Sequence, residues 1–155
     1  MIRRRRDEGG DCGSAIVEFV FVALVAMVPL VYLLVAVAML QRTQTATASA
    51  ARQAGRAFAT AADTEVAVLR ARVAVRLALA AHGLPDDATV RYVAANAACS
   101  SGSVVPSVAP GAEFTICVQR NVSVPGVPGV LAGRGVMVVG AYVVHIDDYR
   151  SGDGS

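Results

Sequence analysis

The chain is poor in charge, in histidine and in cysteine. Only 17% of its 155 residues are charged, a small share for a soluble domain. The net charge is +2, so charge alone implies no nucleic-acid partner. Lysine is absent: all 14 basic residues are arginine, a composition that goes with a GC-rich coding sequence and says nothing of mechanism. The only histidines, His82 and His145, are far apart in the chain. No serine or cysteine stands with a convincing base, and no phosphate-binding loop occurs. In His145-Ile146-Asp147-Asp148, extended backbone puts His145 and Asp147 on one face and turns Asp148 away. Two ligands do not make a metal site. Asn121-Val122-Ser123 matches a glycosylation sequon, a pattern short enough to arise by accident. We therefore assign no catalytic residue, no metal and no cofactor, and expect a protein that is not an enzyme.

Apolar sequence is abundant, 55% of the chain. Its longest stretch runs from Ser14 to Leu40, 27 residues with Glu18 as the only charge. As a helix it would span about 40 Å at ~1.5 Å per residue, and a bilayer core needs about 20 such residues. Pro29 is tolerable in a membrane helix. Ala46, Ala48 and Ala50 offer the small residues of a signal-peptidase site, but the run is too long for a cleaved secretory signal, whose apolar part has about 7–15 residues. A signal-anchor in contact with membrane lipid fits better. Arg3, Arg4, Arg5 and Arg6 precede the run and only Arg42 follows closely. The positive-inside bias puts the N-terminus in the cytoplasm and the chain after residue 40 outside.

Glu18 needs a reason, because a carboxylate near mid-bilayer costs roughly 2.5–3.5 kcal/mol on insertion scales, and less near the interface. One reading is a hydrated charge at the cytoplasmic boundary. The other uses Gly13. A cut after Gly13 makes Glu18 the fifth residue of the mature chain and places a new α-amino cation at Ser14, close to the acid.

The second reading resembles the class III signal peptides of type IV pilins and pseudopilins. Gly13-Ser14-Ala15-Ile16-Val17-Glu18-Phe19 is most similar to the "GSAxVEF" start of the TadE-like pilus proteins of tight-adherence systems. Cys12 departs from the basic residue common before the glycine. The resemblance implies a leader over residues 1–13, removed by a prepilin peptidase between Gly13 and Ser14. It implies that Glu18, with Phe19, acts in assembly by meeting the N-terminal amine of a neighbour. The implied partners are other pilin or TadE-like subunits and a pilus or secretion platform in the inner membrane. The rival function is a generic membrane-anchored extracytoplasmic binding domain of an envelope or secretion complex.

Beyond the run, residues 41–63 are rich in alanine, the best helix former, and predict that the membrane helix continues outward; an inert linker is the alternative. The stretch "AARQAGRAFATA" also resembles TadE-like proteins. Val66, Leu69, Val73, Leu77, Ala80 and Leu84 repeat with helical period, and Gly83 and Pro85 mark a stop. Asp63 is a candidate N-cap, so residues 41–84 form either one helix or two. Strands are expected at 88–94, 113–124 and 135–146. Val90 and Tyr92 share one face of the first. Phe114, Ile116, Val118, Val122 and Val124 share one face of the second, with Arg120 as the exception. The third is apolar on both faces and suits a well-covered strand. The expected fold is α+β: a leader over 1–13, a transmembrane helix over 14–40, a helical segment over 41–84, a small antiparallel sheet of about three strands within 85–149, and a disordered tail over 150–155. Outside the cell membrane, Cys99 and Cys117 can form one disulfide; the alternative is two buried free thiols.

Overall fold

The computed structural model describes residues 12–123 and 135–149. The leader before residue 12, Val124 with the loop after it, and the tail from residue 150 lie outside the described residues. The architecture is α+β: helices α1 (Cys12–Ala59) and α2 (Thr64–Ala81), then strands β1 (Thr89–Ala94), β2 (Glu113–Val122) and β3 (Val136–His145). The sheet is antiparallel throughout, in the order β1-β2-β3. Two compact units divide at Ala38/Met39.

The first unit holds the apolar part of α1. Its large side chains are exposed in every direction, from Ile16 and Val17 through Phe19, Leu24, Leu30 and Leu34. None of its most apolar window is buried. Pro29 lies within the helix. A core helix of a soluble domain would bury one face; this one is long and apolar enough to cross a membrane and is uncovered among the described residues.

The second unit begins at Met39 and has its own core. The alanine-rich continuation of α1 is the centre of it rather than a linker. Ala46, Ala50, Ala51, Ala54 and Phe58 are fully buried, on a stripe of helical period. Threonines occupy the same stretch without unpaired hydroxyls. Thr43 Oγ1 donates to the Met39 carbonyl at 2.9 Å, and Thr47 Oγ1 to the Thr43 carbonyl at 3.0 Å. Intrahelical pairing of this kind lets Thr43 and Thr47 be buried without losing a hydrogen bond.

α1 ends after Ala59, and residues 41–84 form two helices. Asp63 opens α2: its carboxylate accepts from the Val66 amide at 2.8 Å, which satisfies one of the orphan donors of the first turn. Gly83 closes it with φ +64°. The Gly83 amide donates to the Ala80 carbonyl and the Leu84 amide to the Leu79 carbonyl, the paired bonds of a Schellman ending. Arg42 of α1 adds a further tie, since its Nε donates to the His82 carbonyl at 2.9 Å and its Nη2 to the same oxygen.

The face of α2 that packs inward is the one with small side chains. Ala67, Ala71, Val75, Ala78 and Leu79 are buried, whereas Leu69, Val73 and Leu77 are exposed. β3 brings a correction to the expectation of a well-covered strand. Val138, Gly140, Val144 and the following Ile146 are buried, but Met137, Val139 and Val143 on the opposite face are exposed. β3 is an edge strand with one open face, not a well-covered one. The open face begins where the loop after β1 stops covering the sheet. That loop covers the outer side of β1 and β2, where Val93, Thr115 and Cys117 are buried. Ser103 bridges to Val93, and Thr115 Oγ1 accepts from the Asn96 amide at 3.1 Å.

Candidate functional site

The residues singled out for function lie at the start of α1. The helix begins at Cys12, so Gly13, Ser14, Glu18 and Phe19 all have helical backbone. Phe19 is 74% exposed, and Glu18 is exposed with it. With Arg42 as the next charge along the chain, Glu18 stands by itself on a helix otherwise built for an apolar surrounding. No ion pair to Glu18 occurs among the described residues. A carboxylate so placed can pair with a cation brought by another chain.

Cys99 and Cys117 form a disulfide with Cα atoms 5.7 Å apart. Cys117 is on the outer face of β2, and Cys99 is carried by the loop that covers it. The Cys99 carbonyl accepts from Gln119 Nε2 at 3.0 Å and from Arg91 Nη1 at 3.3 Å, and Arg91 Nη2 donates to the Ser101 carbonyl at 3.1 Å. The bridge and these bonds fasten the loop to the sheet, a constraint that a chain of this size uses in place of a larger core.

His145 Nδ1 lies 3.0 Å from Glu113 Oε1 across the β2–β3 ladder. Asp147 Oδ1 accepts instead from the Tyr149 amide at 2.9 Å. No three His, Cys, Asp or Glu side chains converge among the described residues.

Sequence reasoning marked Arg120 only as an exception on an apolar face. It lies on the inner face of β2 with its side chain 11% exposed, and its Nε is 2.7 Å from Asp87 Oδ1. The contact is an ion pair off the direction of a hydrogen bond, and Arg120 Nη1 has no hydrogen-bond partner among the described residues. A charged residue interrupting an otherwise apolar period-2 face was the available signal. Tyr92 is the other buried polar group without a partner. Burial raises its phenol above the usual 10.0, and the Arg72 guanidinium opposes the shift. Its ring packs with Phe58 and Phe114, whose own centroids are 4.8 Å apart in an edge-on contact.

Compared with protein-family models, curated proteins and solved structures, the chain matches none.

Proposed function

We propose that the chain is a TadE-like minor pilin or pseudopilin of a tight-adherence pilus or a related secretion machine. In this reading it is a single-span protein of the inner membrane with a cytoplasmic N-terminus. A prepilin peptidase removes residues 1–13, and the disulfide-clipped domain stands outside, where it meets other pilin or TadE-like subunits. The observation that carries the reading is the lone carboxylate of Glu18, five residues after Gly13 on an apolar helix exposed on all sides. Support also comes from α1 itself, which runs without interruption from the apolar stretch into the core of the second unit.

N-terminal sequencing or intact-mass analysis of protein from its native host tests this. Ser14 is the expected first residue. An intact leader in cells with an active prepilin peptidase would sink the pilin reading.

One observation favours the rival, a membrane-anchored binding domain. Leu69, Val73 and Leu77 form an exposed apolar stripe on α2, beside a groove of about 400 Å³ that Ala57 and Thr60 also line. An uncleaved chain recovered with a stable envelope partner would fit that reading instead.

A further inference from the structure

At the start of the second unit is a cavity of about 210 Å³, lined by Met39, Arg42, Thr43, Leu84, Asp87, Arg120 and residues 121–123. Two guanidinium groups border it. Arg42 spends two of its five N–H donors on the His82 carbonyl,. Arg120 is largely buried and holds Asp87 through Nε, while its Nη1 has no hydrogen-bond partner among the described residues. A buried cationic donor left unpaired costs more than an ordinary missing hydrogen bond. The cavity therefore presents more positive charge and more donors than the single Asp87 carboxylate satisfies. Guanidinium forks of this kind match the oxygens of a phosphate.

The lining also includes the apolar side chains of Met39, Leu84 and Val122. Met39 is the last residue but one of the apolar run that ends at Leu40. If about 20 residues of that run fill the bilayer core, with Glu18 near the cytoplasmic boundary, Met39 comes to the level of the opposite headgroups. A ligand that is anionic at one end and apolar at the other suits such a site.

We propose that this cavity binds the phosphodiester headgroup of an anionic glycerophospholipid of the phosphatidylglycerol class, with Arg42 and Arg120 as the phosphate ligands. The site fixes the height of the domain on the membrane surface. The inference rests on the membrane-anchor part of the proposed function and not on leader cleavage or pilus assembly, so either can fail without the other.

The test uses the full chain in a neutral detergent, delipidated and titrated with dihexanoyl phosphatidylglycerol, with bound lipid counted by native mass spectrometry. Saturable binding of one lipid is expected. Arg42→Gln and Arg120→Gln should each weaken it about tenfold or more, the worth of a hydrogen bond to a charged group. The double variant Arg52→Gln/Arg56→Gln removes two exposed charges of α1 outside the cavity and should leave binding unchanged. Circular dichroism reports whether each variant is folded. If Arg120→Gln is not, Arg42→Gln decides alone, because it leaves the Arg120–Asp87 pair intact. Inorganic phosphate binding as tightly as the lipid would overturn the lipid assignment. An equal loss in the Arg52/Arg56 variant, or no loss in Arg42→Gln, would overturn the site.

Discussion

Gly140 of β3 rests directly on the backbone of Thr47 in α1, so that a methyl group on Gly140 would overlap the Thr47 carbonyl. Helix and strand approach this closely only because neither brings a side chain to the contact. Gly140→Ala must push backbone against backbone. We expect it to destabilise the domain by about 1–3 kcal/mol, toward the upper end because no side chain can yield. Gly55→Ala meets the Tyr142 ring instead, which can turn aside, and should cost less. Thermal unfolding of the two variants in detergent, followed by circular dichroism, checks the order.

The Cys99–Cys117 bridge closes a sequence separation of 18. Chain-entropy reasoning gives roughly 3 kcal/mol for a loop of this size. Cys99→Ser/Cys117→Ser should lower the unfolding temperature and expose the outer face of β2 to solvent. In the parent chain, thiol labelling under denaturing, non-reducing conditions should modify neither residue; labelling of both would disprove the bridge.

The two faces of α2 should respond in opposite ways to substitution. Leu69→Ser, Val73→Ser and Leu77→Ser remove exposed side chains and should each change stability by no more than about 0.5 kcal/mol. Ala71→Leu forces bulk into the contact face and should cost about 1–3 kcal/mol. Denaturant midpoints of the four variants measure this. A large loss from the Leu69 and Leu77 variants would mean that the larger residues, not the alanines, form the core.

Tyr92 makes stability depend on alkaline pH. Its folded pKa lies above the ordinary value, so the unfolded chain loses the proton first. The contribution is complete below about pH 10 and falls as pH rises from there toward the folded pKa. Tyr92→Phe removes that dependence. It also deletes a buried hydroxyl without a partner, so it should be neutral or stabilising at pH 7, by up to about 1–3 kcal/mol. The gap in unfolding temperature between variant and parent should widen above pH 10.

Glu18→Leu tests the assembly role in the proposed function. If Glu18 pairs with the Ser14 amine of a neighbour, removing one half of a buried pair costs about 3–5 kcal/mol, more than about a hundredfold in association. The variant should be cleaved and membrane-resident but should fail to cross-link to its partners. Equal cross-linked yield from parent and variant would leave Glu18 as a hydrated boundary charge.

Local physics was enough for much of this. The long apolar helix needs only its own run of side chains, since its large apolar residues are exposed among the described residues. Asp63 and Gly83 end α2 through bonds within a few residues of themselves; the stop at Gly83 was legible, while a start at Asp63 was one of two open readings. The inner face of β2 followed from period-2 alternation, and the link between Cys99 and Cys117 was one of two readings open to a pair of exported cysteines. What the sequence could not decide was which partner each face would meet. The period of Leu69, Val73 and Leu77 is the period of a buried stripe, yet Ala67, Ala71, Val75, Ala78 and Leu79 are the α2 residues that join the core cluster with the alanines of α1. β3 is apolar on both faces, but the loop carrying Cys99 ends its cover at β2, and an edge strand keeps one face open. Arg120 is an outlier along its strand and becomes intelligible only where folding brings Asp87, Arg42 and Met39 to its side. Each of these depends on contacts between residues distant in the chain, which no local pattern encodes.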